Sequence, residues 1–166
     1  METRALVVDH EKCTGCRRCE LVCSVFHEGV SNPTKSRIKV EKWEWEGLYI
    51  PMTCRQCADA PCLNVCPVKA ISRDDAEGRV KVDYDKCIVC RSCVTVCPFG
   101  AMGFNPGEKK VFKCDLCDGD PQCVRFCDMK AVDYTDSRKE SAARKRDAAL
   151  RLAEAKKLGA TIEYEG

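Results

Sequence analysis

Apolar residues in this chain fall in short runs, and most of the runs keep a period of two. Ser36-Arg-Ile-Lys-Val-Glu41 alternates polar and apolar positions and predicts a half-buried strand. Trp43-Glu-Trp45 continues the alternation, and Leu48-Tyr-Ile50 is its hairpin partner across Gly47. Trp43 and Trp45 are expected to pack as strand residues, with shielding of a bound group or a partner contact as the alternative. Two further hairpins are legible. Ala70-Ile71 returns through Asp75-Ala-Glu-Gly78 into Arg79-Val-Lys-Val82, and Met102-Gly-Phe104 turns at Asn105-Pro-Gly107 into Lys110-Val-Phe112. Leu6-Val-Val8 and Val132-Asp-Tyr134 are left to pair with each other.

The pattern changes after Asp136. Ser137-Arg-Lys-Glu140 is a capping box that opens a helix running to about Leu158, with Gly159 as its stop. Residues 137–158 hold eight Lys/Arg against three Asp/Glu, and their apolar positions are small and scattered. Such a helix is marginal alone. It is expected to dock on an acidic partner, fold back on its own domain, or join copies end to end.

Apolar residues make up 45% of the chain, but that figure counts 16 cysteines; without them about 35% remains, low for a globular core. The cysteines must therefore do structural work. No signal peptide opens the chain and no run reaches membrane-spanning length, so a disulfide framework is disfavoured and a cytoplasmic location is expected.

All sixteen cysteines fall into four sets. They are Cys13-x2-Cys16-x2-Cys19-x3-Cys23, Cys54-x2-Cys57-x4-Cys62-x3-Cys66-Pro67, Cys87-x2-Cys90-x2-Cys93-x3-Cys97-Pro98 and Cys114-x2-Cys117-x5-Cys123-x3-Cys127. The third set with its proline is the bacterial ferredoxin spacing, in which three cysteines wrap one cubane and the fourth reaches the other. The fourth cysteine is expected to begin a helical turn, with the proline fixing φ where no amide donor is needed. Lys12, Lys86 and Lys113 each precede a first cysteine. Four [4Fe–4S] groups would turn the formal +2 charge into about −6, because each tetrathiolate group carries about −2. That removes the electrostatic basis for binding nucleic acid.

Cys54-Arg-Gln-Cys-Ala-Asp-Ala-Pro-Cys-Leu-Asn-Val-Cys-Pro-Val-Lys-Ala-Ile71 resembles the four-cluster ferredoxin-type subunits of molybdenum and tungsten oxidoreductases. Cys23-Ser-Val-Phe-His-Glu-Gly29, Ser36-Arg-Ile-Lys-Val40 and Lys113-Cys-Asp-Leu-Cys-Asp-Gly-Asp-Pro-Gln-Cys123 extend the resemblance over about residues 5–135. It implies an α+β fold of two ferredoxin-like two-cluster units with short β-hairpins and helical turns, plus a C-terminal helical arm. Residues 1–35 with 105–136 would form an outer unit, 36–104 an inserted hairpin and inner unit, and 137–166 the basic arm. The pairing carried over with it joins Cys54, Cys57 and Cys62 to Cys97, and Cys87, Cys90 and Cys93 to Cys66. It likewise joins Cys13, Cys16 and Cys19 to Cys127, and Cys114, Cys117 and Cys123 to Cys23. The implied partner is a catalytic subunit with a molybdenum or tungsten cofactor, among them aldehyde oxidoreductase. A flavin subunit or further copies of the chain are additional partners.

The chemistry expected is electron transfer alone, so the chain is read as no enzyme by itself. Iron fully ligated by cysteine has no open position for substrate, and the sequence has neither a G-x-G-x-x-G fingerprint nor a P-loop. A free-standing polyferredoxin or a hydrogenase-linked ferredoxin subunit is the alternative, and a zinc-ribbon module is the reading from another class. Arg17, Arg18, Arg55, Arg91 and Arg125 lie inside the sets; they either favour the reduced state or point to screened solvent. His10 and His27 are expected to serve as hydrogen-bonding residues rather than ligands.

Overall fold

The computed structural model describes residues 4–74 and 76–136, with the isolated positions Arg146 and Ala149, both helical. The remainder of the expected basic arm lies outside the described residues. Among the described residues eight strands form four separate antiparallel pairs. β1 (Arg4–Val8) pairs with β8 (Val132–Asp136), setting Leu6 opposite Tyr134. β2 (Ile38–Trp43) pairs with β3 (Leu48–Thr53), β4 (Ile71–Asp74) with β5 (Arg79–Val82), and β6 (Met102–Asn105) with β7 (Lys110–Lys113). All four pairings follow the alternation of the sequence. A lone two-stranded ribbon is marginal in water, so each needs something to lie against.

Ser36 lies outside β2. Its hydroxyl donates to the Ile38 carbonyl at 2.6 Å and accepts the Ile38 N–H at 3.2 Å, satisfying locally what a strand would satisfy across the ladder. Trp45 also departs from expectation. It sits in a one-turn 3-10 segment, Glu44–Glu46, at the tip of the hairpin and is fully exposed, while Trp43 is half-exposed at the end of β2. Neither indole packs as an interior strand residue.

Four helices carry cysteines: α1 (Arg18–Glu28), α2 (Pro61–Asn64), α3 (Ser92–Val96) and α4 (Gln122–Arg125). α1 buries Glu20, Cys23 and Ser24, which the helical period stacks on one face. It ends at Gly29, whose left-handed φ of 67° lets its N–H reach the Val25 carbonyl at 2.9 Å. The expectation of a helical turn beginning at each fourth cysteine is corrected. The short helices α2, α3 and α4 each contain the third cysteine and stop at or before the fourth. The residues after Cys66, Cys97 and Cys127 form tight turns instead, with Lys69, Gly100 and Lys130 left-handed at φ 50°, 59° and 50°. The physical reason is steric: a residue with positive φ cannot continue a right-handed helix.

Two sets of buried side chains hold these elements. One joins Leu6, Ile38, Leu116 and Val132 to Cys23, Cys114 and Cys123. The other joins Ala60, Ile71, Val80, Met102 and Val111 to Cys93. Both are small, and cysteine is part of each.

Candidate metal centres

None of the sixteen cysteines is in a disulfide. A cavity of about 170 Å³ is lined by Cys13, Cys16, Cys19 and Cys127, with Val40 and Pro51 in its apolar wall. A second is lined by Cys54, Cys57, Cys62 and Cys97, and a third by Cys66, Cys87, Cys90 and Cys93. In each, three cysteines come from one set and one from another. Of the remaining four, Cys23, Cys114 and Cys123 are buried in one core. Cys114, Cys23 and Cys117, and after them Cys19, act electrostatically on the Cys123 thiol.

The backbone repeats with the cysteines. Two residues after every first cysteine the chain is left-handed: Gly15 (φ 69°), Gln56 (48°), Val89 (59°) and Leu116 (62°). A β-branched residue such as Val89 adopts this region only when its surroundings over-determine it. Alternating right- and left-handed residues form concavities of N–H groups that favour anions. Beyond the fourth cysteines, the Ala70 N–H donates to Cys66 Sγ and the Ala131 N–H to Cys127 Sγ, both at 3.2 Å. Cys23 is different because α1 continues past it; its Sγ accepts instead from the N–H of Arg37 at 3.3 Å.

Burial raises the Cys19 thiol to about 12, with Glu20 adding to it, and raises Cys114 to about 12 and Cys117 to about 11. Cys123 is pushed up further, again by burial and then by Cys114 and Cys23. Such thiols stay protonated at neutral pH unless a cation binds them as thiolates. Soft donors in fours, an apolar wall and backbone N–H groups donating to sulfur together fit iron–sulfur groups.

His27 lies part-buried beside this chemistry. Its Nε2 lies 3.5 Å from Cys117 Sγ and 3.6 Å from an Asp115 oxygen. Burial, then Arg37, hold the imidazole below its ordinary value, so it is neutral at neutral pH. Burial alone would raise the Asp115 carboxyl, but Arg37 at 2.5 Å, joined by His27 once the ring is protonated, outweighs it and holds it low. His10 opens a one-turn segment, and its backbone carbonyl accepts the Cys13 N–H at 3.1 Å.

The five arginines inside the sets are not the buried cations of the molecule. Arg18, Arg55, Arg91 and Arg125 are exposed, and Arg17 is occupied by Glu20 at 2.6 Å. Arg91 lies over the Phe104 ring and Arg125 pairs with Asp120 at 3.3 Å. Screening weakens charge at such positions. Among the described residues the buried cations are Arg79 and Lys113, 5% and 3% exposed. Gln56 joins them: its amide donates to the Cys114 carbonyl and accepts the Val80 N–H, each at 2.8 Å. The sequence offered one signal for Lys113, its place before a first cysteine, and none for Gln56.

No helix among the described residues is long and apolar enough to cross a membrane. Residues 45–137 match the 4Fe-4S dicluster domain, and residues 6–25 match the 4Fe-4S binding domain. The chain is 44% identical over 122 residues to the aliphatic sulfonate oxidoreductase polyferredoxin-like subunit of Pyrococcus furiosus, covering 74% of this chain and 70% of the relative. It is 42% identical over 149 residues to the putative electron transport protein YsaA of Escherichia coli, covering 82% and 92%. It is 37% identical over 160 residues to the electron transport protein HydN of the same organism, covering 82% and 90%. Among solved structures, a chain of the active-site complex BamBC of benzoyl coenzyme A reductase with zinc is similar at 27% identity and a TM-score of 0.50, over 95% of this chain and 98% of that one.

Proposed function

The chain belongs to the 4Fe-4S dicluster-domain family of iron–sulfur electron-transfer proteins, and from that premise we propose that it is the electron-relay subunit of a larger oxidoreductase. In this reading it holds four [4Fe–4S] groups, one per cysteine set, with the fourth ligand exchanged between sets. Cys13, Cys16, Cys19 and Cys127 hold one; Cys54, Cys57, Cys62 and Cys97 another; Cys66, Cys87, Cys90 and Cys93 the third; Cys23, Cys114, Cys117 and Cys123 the fourth. Each group, when bound, accepts and releases one electron and offers no open coordination position. Residues 36–104 then form an inner two-group unit, and residues 1–35 with 105–136 an outer one. The observation that carries the reading is the convergence of cysteines from different sets on shared apolar cavities.

The protein's own residues hold and orient. Backbone N–H groups at Ala70, Ala131 and Arg37 stabilise sulfur charge on Cys66, Cys127 and Cys23. Cys16 and Cys90 are exposed, so electrons enter and leave beside them. The partner is a catalytic subunit bearing a molybdenum or tungsten cofactor. Anaerobic purification of the native complex tests the proposal. About sixteen irons per chain and a co-purifying catalytic subunit are expected. A chain that runs alone would point to a free polyferredoxin, and zinc without iron would sink the reading.

A further inference from the structure

We infer that Lys113 is the counter-cation of the site formed by Cys54, Cys57, Cys62 and Cys97, and that its buried charge raises the reduction potential of that site. The inference rests on the iron–sulfur reading above.

Lys113 closes β7, paired across the ladder with Met102, and its side chain turns inward. It lines the cavity of those four cysteines. Its ammonium donates to Gln56 Oε1 at 3.2 Å, to the Cys114 carbonyl at 2.7 Å and to the Val80 carbonyl. Three donors are thus satisfied, but every acceptor is a neutral oxygen. Among the described residues no ion pair involves Lys113.

The two comparisons available within the chain show how unusual this is. Arg79, buried nearby, is surrounded by carboxylates from Asp74, Glu77 and Asp118. Lys12 and Lys86 hold the same place before a first cysteine, yet their side chains are 58% and 65% exposed and pair with Asp9 at 2.7 Å and Asp83 at 2.8 Å. A buried cation without an anion is strongly disfavoured. The negative charge left for Lys113 to balance is that of the group held in the cavity it lines with Cys54, Cys57, Cys62 and Cys97. Gln56 makes the arrangement possible. Held left-handed at φ 48°, it presents its oxygen to both Lys113 and the Val80 N–H.

Reduction adds one electron to the site and no proton, so the reduced form is the more negative of the two. A fixed cation in low dielectric favours that form. Lys113 is also bonded in sequence to Cys114 of another set, so its charge sits where electrons would cross from one unit to the other.

The test is a potentiometric titration, followed by electron paramagnetic resonance, of the anaerobically purified whole chain carrying Lys113→Met. One couple is expected to fall. At fixed potential its oxidised-to-reduced ratio should rise about tenfold, equivalent to about 59 mV for a one-electron couple. The other couples, and every couple in Lys12→Met and Lys86→Met, should stay in place. A fully iron-loaded Lys113→Met with unmoved couples overturns the inference. Should Lys113→Met not retain iron, Lys113→Arg decides. Full loading with unshifted couples supports a requirement for charge, and loss of iron there too overturns it. Absence of iron in the unsubstituted chain would instead be failure of the iron–sulfur reading itself.

Discussion

The carboxylate of Glu20 accepts the backbone N–H of Val40 at 2.7 Å, tying α1 to β2 across twenty residues of chain. Glu20 is 1% exposed, and its other oxygen holds Arg17 at 2.6 Å. Val40 and Arg17 both line the cavity of Cys13, Cys16, Cys19 and Cys127. One buried acid therefore fixes the wall and the mouth of the site together. Replacing Glu20 with Ala leaves a buried N–H unsatisfied and is expected to cost about 2–3 kcal/mol. Glu20→Gln keeps an acceptor and should cost about 1 kcal/mol. The rate at which visible absorbance disappears in denaturant measures this where unfolding is irreversible. Equal rates for the two variants would contradict it.

Gly15 and Gly29 share left-handed backbone, φ 69° and 67°, but not surroundings. A Cβ on Gly15 would stand 2.5 Å from Cδ1 of the Tyr49 ring, whereas one on Gly29 meets nothing. Gly29→Ala should therefore cost only the left-handed penalty of about 1–2 kcal/mol. Gly15→Ala adds a displaced ring at the edge of the first cysteine loop and should cost measurably more. Thermal inactivation of the two variants ranks them, and a reversed order would mean that Tyr49 yields freely.

The proposed exchange of fourth cysteines has a spectroscopic consequence. Cys13→Ala and Cys127→Ala should perturb the same paramagnetic signal, and Cys114→Ala a different one. Each should lower iron content by up to about four atoms. Grouping of Cys127→Ala with Cys114→Ala would mean that each set keeps its own fourth ligand.

Removing iron with a chelator at neutral pH should unfold most of the chain. Its two cores are small and its ribbons are marginal alone. Any fold left behind should weaken as pH rises from 9 to about 12. In that window an unfolded thiol, with its ordinary value of 9.0, has lost its proton, while folded Cys19 and Cys114, raised to about 12 by burial, still hold theirs. The unfolded state then binds fewer protons, so stability falls with pH. The iron-loaded protein already holds thiolates and should not show this loss. Circular dichroism against pH, with and without iron, reads both. A metal-free chain that is native at pH 7 would contradict the first expectation.

Trp45 is a local signal that misled. Alternation through Trp43-Glu-Trp45 reads as strand, yet the chain turns at Glu44 and leaves Trp45 in solvent. Period two says which residues share a face; it does not say where a ribbon outgrows the body it lies on. The turns after Cys66 and Cys127 misled for a related reason. Pro67-Val-Lys-Ala reads as a helix start, but Lys69 is left-handed, which frees the Ala70 N–H for Cys66 Sγ. Sulfur, not the helix ladder, takes that donor.

The amino-acid sequence by itself determined the donor atoms, their grouping in fours and the four ribbons, because spacing and turn residues act over a few positions. Tertiary structure alone decided which cysteines share a cavity. It also decided that Gln56 reaches Cys114 across 58 residues, and that Lys113 is buried with no carboxylate against it among the described residues, while Lys12 and Lys86, in the same sequence position, are paired in solvent. The reason is that burial of a charge depends on what the rest of the chain brings around it, and no local pattern encodes that.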